Sequence, residues 1–235
     1  MSQTELIETN QIVAEIDTRL SALPSLKAAN VRDVRREFSK RLARTSSQLV
    51  IEIALRLLNL DRPGFEYRFV AYELLCHHRA ALNSLGEKEL VLLGQGIDSW
   101  EDVDTFACYL AGSAWREHQV PDELIHLWAR SGDRWWRRTA LVCTVALNNK
   151  ARGGRGDTAR TLEVCRILVK DRDDMVVKAM SWSLRELSRR DPQAVRDFLA
   201  EHKGVLAPRV VREVNTKLTT GLKNPRRKDH TSVSK

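Results

Sequence analysis

Four side chains of this sequence could form a chemically active site: Trp100, Asp104, Arg138 and Trp182. The face of an indole ring attracts positive charge, and a carboxylate beside it adds a full negative charge, so together they can hold a cationic or sugar-like group. An arginine can bind a phosphate through two parallel hydrogen bonds. These residue types predict a site for nucleic acid, provided that the fold gathers them away from its core.

A helix is predicted from about residue 173 to 190, and it holds Trp182 opposite its apolar face. At 100° per residue, the side chains expected in the core share one face: Val176, Val177, Met180, Leu184 and Leu187. The opposite face carries Trp182 with three basic residues: Lys178, Arg185 and Arg189. An exposed indole forgoes about 2–3 kcal/mol of burial. We therefore expect Trp182 either to contact a bound partner or to pack beneath the next helix pair.

The other three side chains have two interpretations each. Trp100 and Asp104 lie one helical turn apart and flank the apolar stripe of their helix, as site residues would. Asp104 could instead simply complement the positive N-terminal end of that helix. Arg138 lies at the edge of a third helix, where it could bind a phosphate or form an internal ion pair, and a register error of one residue would exchange it with Arg137.

Helices must position these groups, because nearly the whole chain has helical periodicity and no alternating strand pattern appears. Glycine and proline are few and separate segments of about 10 to 18 residues. Acidic helix starts recur at Asp98, Asp133 and Asp173, which are 35 and 40 residues apart. This spacing is close to that of HEAT and armadillo repeats. We predict an all-α solenoid of about six helical repeats with a concave basic face, and a compact helical bundle is the alternative.

The solenoid is expected to form one domain over residues 1–222, followed by a disordered basic tail over 223–235 that begins KNPRRK. A glycine-rich insert at 151–156 is interpreted as a flexible basic loop between helices. Three basic residues lie in or beside this insert: Lys150, Arg152 and Arg155. They could contact phosphates, or the insert could simply connect two helices.

The charge balance favours a polyanionic partner, because the net charge is +8 and the isoelectric point is about 9.6. Charge alone does not choose between phosphate backbones, anionic lipid heads and a solvated surface. No apolar run is long enough to span a membrane, and the N-terminal segment lacks the pattern of a signal peptide. The four cysteines form no CxxC and the histidines show no metal spacing, so we expect free thiols, no metal or other cofactor, and a cytoplasmic location.

Three segments resemble the AlkD-type alkylpurine DNA glycosylases, a DNA alkylation repair family. Residues 97–112 (IDSWEDVDTFACYLAG) resemble the family's W-x-x-x-D segment, and residues 136–140 (WRRTA) resemble its W-x-R-T/A-A segment. Residues 178–186 (KAMSWSLRE) resemble its K-A-x-x-W-x-L-R-E segment. Each motif is weak alone, but the three together in the same order are fairly specific, and the likeness extends over roughly residues 32–218.

The resemblance implies a monomeric HEAT-like solenoid that cradles duplex DNA and removes cationic N3- and N7-alkylated purines, such as 3-methyladenine and 7-methylguanine, without flipping the base. It implies that Asp104 is the catalytic carboxylate and that Trp100 and Trp182 line the cleft beside the lesion. It also implies that Arg138 holds the DNA backbone and that Arg185 is a phosphate contact. No lysine is in place for a Schiff base, so a monofunctional hydrolase is expected.

The sequence departs from the family at two places, one where the family has an aromatic residue and one where it has a basic residue. No aromatic residue lies within 19–27, and Ala146 occupies a position that is basic in the family. The grip on the backbone is therefore expected to move in part to the basic residues of the insert. Two other functions stay open: an inactive solenoid that binds structured or damaged DNA, and a HEAT-type protein adaptor.

Overall fold

A computed structural model describes residues 3–61 and 64–223. Among these residues the regular structure is entirely helical, with no strand. The α-helices in chain order are α1 (Gln3–Ser21), α2 (Ala28–Arg41), α3 (Ser47–Leu58), α4 (Phe65–His77), α5 (Arg79–Asn83), α6 (Glu87–Leu93), α7 (Trp100–Phe106), α8 (Gly112–Arg116), α9 (Asp122–Ala129), α10 (Arg134–Asn148), α11 (Thr158–Ile167), α12 (Asp174–Leu187), α13 (Pro192–Glu201) and α14 (Pro208–Thr220). The predicted tail from 224 to 235 lies outside the described residues.

The helices form an α-solenoid of two rows, as predicted, rather than a closed bundle. The second row runs α2, α4, α7–α8, α10, α12 and α14, and each member packs on the next. The first row runs α1, α3, α5–α6, α9, α11 and α13 along the back of the second. The apolar core lies between the rows, and it contains the predicted stripe of α12. The exposed side of the second row is therefore one long surface built from consecutive repeats.

The helix that carries Trp100 and Asp104 contains a π-helical turn. Residues 100–116 form one continuous helix in which α7 and α8 are joined by the π turn Ala107–Ala111. The Ser99 hydroxyl begins it by accepting a hydrogen bond of 3.2 Å from the Asp102 backbone N–H. In a regular α-helix the residue one turn after Asp104 would be Cys108. The π turn is one residue longer, so Tyr109, at 37% exposure, lies on the exposed side instead and Cys108 is buried. Such turns occur often at functional sites.

This helix lies very close to α10 at Gly112. A β-carbon at position 112 would lie 2.6 Å from the Ala107 carbonyl oxygen, 2.7 Å from the Ala146 Cβ and 2.8 Å from the Cys143 carbonyl oxygen. Only glycine permits this approach. The contact fixes the position of the Asp104 helix on the Arg138 helix.

The glycine-rich insert is a folded turn, so its interpretation as a flexible loop is wrong. Residues Lys150–Arg152 form a 3₁₀ turn, which Gly153 ends at a φ of 83°. Arg116 donates to the Arg152 carbonyl at 2.6 Å, and Arg190 donates to the Gly154 carbonyl at 2.6 Å. These guanidinium contacts satisfy backbone carbonyls of the insert and hold it against the ends of the second-row helices.

Within the described residues, no helix combines the length and apolarity needed to cross a membrane.

Candidate active site

A cleft of about 430 Å³ opens on the exposed side of the second row, where α7, α10, α12 and α14 adjoin. It brings together all four residues that the sequence singled out, from three helices. The residues that line it are Trp100, Asp104, Arg138, Met175, Lys178, Trp182, Arg185, Arg209 and Lys223. The cleft therefore combines one carboxylate, two indoles and several cations on a surface that is open to solvent.

Asp104 and Arg138 form an ion pair at the base of the cleft. The Asp104 Oδ1 accepts hydrogen bonds from the Arg138 Nη2 at 2.7 Å and from its Nε at 3.2 Å. The third nitrogen, Nη1, donates to the Met175 carbonyl oxygen at 2.7 Å. Arg138 is only 5% exposed and forms the internal ion pair that was the alternative to a phosphate contact. Its contact with a DNA backbone stays a prediction. The guanidinium is shared between the carboxylate and the start of α12.

The environment of Asp104 opposes its ionisation. Burial raises the pKa of this carboxyl above the ordinary aspartate value, and the charge and hydrogen bonds of Arg138 lower the pKa in partial compensation. The charge of Arg152 lowers it further, whereas Glu101 raises it. A carboxylate in such a site is poorly solvated, which strengthens its attraction for any positive charge that enters the cleft.

The two tryptophans differ in how firmly the protein holds them. Trp100 is the first residue of α7 and is 50% exposed. Trp182 is half-buried and packs in part against the apolar core. Trp182 thus packs in part on neighbouring residues, as one alternative expected, and it also lines the cleft, so its contact with a bound partner stays a prediction. The pair leaves substantial aromatic surface beside Asp104 for a bound partner to cover.

The basic residues of α12 and α14 edge the same cleft. Lys178 forms an ion pair of 2.6 Å with Asp174, and the Arg185 Nε donates to the Ser181 hydroxyl at 3.2 Å. Arg209 joins this network through Asp174, at 3.1 Å. Arg189, the third basic residue predicted on that face, is exposed just beyond α12 and does not line the cleft.

The structure resolves the choice between Arg137 and Arg138. The Arg137 Nε donates to Asp171 at 2.7 Å, and its Nη1 donates to the Gly132 carbonyl at 2.8 Å. Arg137 thus ties α10 to the turn before α12, outside the cleft. Only Arg138 reaches Asp104.

The basic residues at the insert have three different surroundings. Lys150 is exposed at the start of the 3₁₀ turn. The Arg152 guanidinium lies over the Tyr109 ring, with its central carbon 4.5 Å from the ring centroid. Arg155 is largely exposed and pairs with Glu117 at 3.3 Å. The three side chains therefore differ in exposure and in pairing.

A buried polar network holds the turn that leads into Trp100. Arg68 on α4 donates to the Gln95 carbonyl at 3.1 Å and to the Tyr72 hydroxyl at 3.1 Å, and its Nε lies 3.6 Å from Asp102. Burial raises the pKa of the Asp102 carboxyl, and Arg68 lowers it in part. The network fixes the first turn of α7 and hence the position of Trp100 in the cleft.

Sequence reasoning missed three residues that line the cleft: Met175, Arg209 and Lys223. Met175 contributes a backbone carbonyl to Arg138, which no side-chain pattern signals. Arg209 follows Pro208 in the first turn of α14, one repeat beyond the last motif. Lys223 belongs to the segment assigned to the tail, and it lines the cleft just beyond α14.

Residues 24–218 match the model of a family whose description is DNA alkylation repair enzyme. A solved structure, described as "Predicted DNA alkylation repair enzyme from Enterococcus faecalis", is similar in fold, with a TM-score of 0.65. That likeness covers 92% of this chain and 96% of the other at 19% sequence identity, so it bears on the fold alone. Among curated protein sequences, none matches this chain closely enough to count as a relative.

Proposed function

Because the chain belongs to the family of DNA alkylation repair enzymes, we propose that it is a DNA glycosylase acting on cationic alkylated purines in duplex DNA. The reaction is hydrolysis of the N-glycosidic bond of an N3- or N7-alkylated purine, such as 3-methyladenine or 7-methylguanine. One observation carries the proposal. Asp104, the one carboxylate among the residues that line the cleft, shares it with two indoles and several cations.

The chemistry needs little more than this carboxylate. An N3- or N7-alkylated purine already carries a positive charge, so it leaves without prior protonation. Its bond to the sugar breaks with oxocarbenium character, as in glycoside hydrolysis. Negative charge near the anomeric carbon stabilises that state, and one such group typically contributes about 10²–10³ in rate.

The geometry of the ion pair leaves Asp104 able to act. Arg138 occupies only Oδ1, and no described residue donates a hydrogen bond to Oδ2. Oδ2 is therefore available to orient a water molecule or to face the developing positive charge. We assign Arg138 the role of holding and orienting Asp104, because all three of its nitrogens are already bonded within the protein.

The indoles and the surrounding cations fit the rest of the substrate. Trp100 and Trp182 would lie against the deoxyribose and the cationic lesion, which their ring faces attract. Phosphates would be held by exposed cations at and beyond the cleft, for which the candidates are Lys178, Arg185, Arg189, Arg209 and Lys223. Following the family resemblance, we propose that the base stays in the duplex during excision and that a monomeric, cytoplasmic HEAT-like domain over residues 1–222 suffices.

The decisive experiment measures release of 7-methylguanine from methylated duplex DNA under single-turnover conditions, with protein in excess. We expect Asp104→Asn to lower the rate by about 10²–10³, while its affinity for the duplex stays at or above that of the wild type because a negative charge has been removed. Excision at the wild-type rate by Asp104→Asn would refute the assignment of the carboxylate.

The same preparations separate the two alternatives. A wild-type protein that binds duplex DNA but releases no base is a non-catalytic DNA-binding solenoid. A protein adaptor would show no salt-dependent binding to duplex DNA. A DNA-binding protein would, because each phosphate that it neutralises contributes about −0.9 to the slope of log affinity against log salt. The presence of a carboxylate, two indoles and cations in one cleft favours the enzyme over both.

A further inference from the structure

Arg185 is held within the protein by only one of its three guanidinium nitrogens. Its Nε donates to the Ser181 hydroxyl at 3.2 Å. Among the described residues, neither Nη1 nor Nη2 has a hydrogen-bond partner, no carboxylate forms an ion pair with the group, and neither nitrogen is shut off from solvent. Because Arg185 lines the cleft, both nitrogens stay available to a ligand there.

Ser181 joins Arg185 to the last helix. Ser181 is fully buried, and its hydroxyl donates to the Glu213 Oε2 of α14 at 2.6 Å. A serine hydroxyl has one proton to donate, so its lone pairs are what remains for the Arg185 Nε. The carboxylate of Glu213 therefore sets the direction in which the hydroxyl accepts from Arg185.

Glu213 holds a second arginine of the cleft as well. Its Oε1 accepts from the Arg209 Nε at 2.8 Å, whereas Glu213 itself does not line the cleft. Burial by itself would raise the pKa of Glu213, but the hydrogen bonds from Ser181 and Arg209 bring the pKa below its ordinary value. Glu213 is therefore charged at neutral pH and holds one cleft arginine directly and the other through Ser181.

A held guanidinium binds better than a free one. Burial lowers the pKa of Arg185 and the charge of Glu213 raises it, so the acid compensates in part for the lost solvation of this cation. An arginine side chain has several rotatable bonds, and fixing them in advance reduces the entropy that binding would otherwise cost. Fixing the Nε end leaves the other two nitrogens aimed in one direction.

We propose that Glu213 is a positioning residue for DNA binding: through the Ser181 hydroxyl it orients the Arg185 guanidinium towards a backbone phosphate, although neither Glu213 nor Ser181 touches the DNA. The inference rests on the proposed function in taking duplex DNA as the partner and Arg185 as a phosphate contact. Ser181 occupies a variable position of the segment 178–186, and Glu213 lies beyond all three motifs. The last helix thus contributes to binding through an acid as well as through its cations.

A double-mutant cycle on undamaged duplex DNA tests this chain of hydrogen bonds without reference to excision. Fluorescence anisotropy would measure the affinity of the full chain for a labelled duplex over a series of salt concentrations at neutral pH. We expect Ser181→Ala to weaken binding about three- to tenfold at roughly 0.1 M salt and to make the slope of log affinity against log salt shallower, towards the change of about 0.9 expected for Arg185→Ala. The double variant should bind no more weakly than Arg185→Ala alone, because the hydroxyl acts only through that guanidinium.

Ser183→Ala is the matched control for the loss of a buried hydroxyl. Ser183 lies on the same helix and is also fully buried, but its hydroxyl lies 2.6 Å from that of Thr144 on α10 instead of facing α14. This variant should bind DNA with the wild-type affinity and slope. Melting temperatures of the two serine variants within about 2 °C of each other would show that the contrast does not come from folding.

A change at Glu213 tests the sign of its effect. By charge alone, Glu213→Ala removes a negative group and should tighten binding to a polyanion. If Glu213 orients Arg185, the same variant should bind more weakly than the wild type. Glu123→Ala, which removes an exposed acid from α9 in the first row, is the charge control and should not weaken binding.

The proposal is overturned if Ser181→Ala binds as the wild type does, if its loss persists in the Arg185→Ala background, or if Ser183→Ala shows the same loss. Tighter binding by Glu213→Ala, or a wild type without salt-dependent duplex binding, would also overturn it. Failure of the proposed glycosylase is a separate outcome. A protein that shows the coupling between Ser181 and Arg185 but releases no base would retain this inference and lose the catalytic one.

Discussion

Arg138 holds one oxygen of Asp104 and leaves the other open to the cleft. Both hydrogen bonds, of 2.7 Å and 3.2 Å, reach Oδ1. The same guanidinium binds the Met175 carbonyl, so the carboxylate is tied to the start of α12, the helix that carries Trp182. A carboxylate held in this way has a fixed direction, and among its neighbours Arg138 has the largest effect on its pKa.

The rate of excision should fall as the pH is lowered through the pKa of Asp104, because only the ionised carboxylate stabilises positive charge. Burial raises that pKa, so the acid limb should lie above the ordinary aspartate range. Arg138 lowers the pKa, and therefore Arg138→Gln should move the limb to higher pH. The measurement is the single-turnover rate between pH 4 and 8, with the uncatalysed loss of the base subtracted.

Arg137→Gln is the matched control for the pH profile. It removes the adjacent guanidinium, which pairs with Asp171 outside the cleft. Its acid limb should coincide with that of the wild type. A limb that shifts equally in both variants would mean that Arg138 does not set the pKa of the catalytic group.

Trp100→Ala should impair excision with little effect on folding. The ring is 50% exposed, so its loss should change the free energy of unfolding by less than about 1 kcal/mol. Trp182→Ala removes a ring that packs partly on the core and should lower both excision and stability, the latter by about 1–3 kcal/mol. Urea unfolding and single-turnover excision on both variants would test the contrast, and equal destabilisation of the two would contradict it.

Gly112→Ala should destabilise the fold by about 2–3 kcal/mol, because the added methyl group would clash with the Ala107 and Cys143 carbonyl oxygens. Backbone atoms of two packed helices cannot move aside as a flexible side chain can. Gly132→Ala is the control, since a β-carbon there has no neighbour within 4 Å and no positive φ requires glycine. Urea midpoints would show a large loss at 112 and little change or a slight gain at 132.

Arg68→Met should lower the free energy of unfolding by about 3 kcal/mol at pH 7, because it leaves the Asp102 carboxylate buried without its cation. Without Arg68 the pKa of Asp102 rises further, so in the variant this carboxyl opposes folding at and above neutral pH and is protonated as the pH falls. The loss of stability should therefore shrink towards pH 5. Unfolding curves at the two pH values test this, and a loss independent of pH would point to packing alone.

The sequence determined the fold class and singled out the four side chains that the cleft brings together. Helical periodicity and the spacing of Asp98, Asp133 and Asp173 are local properties, so they were sufficient to predict a solenoid of helix pairs. Trp182 stood out because it lies opposite the apolar stripe of its own helix. Such departures from a core pattern can be recognised one helix at a time.

Only the tertiary structure decided which groups pair and which stay free. Arg138 bonds to Asp104, 34 residues away, and to a backbone carbonyl of α12, and neither contact leaves a trace in local periodicity. The folded insert depends on guanidinium groups of Arg116 and Arg190 that reach it from other repeats. Ion pairs and carbonyl contacts between repeats form or fail on differences of about a few tenths of an ångström in the distance between two atoms. Those distances follow from how whole helices pack and not from the residues of any one helix.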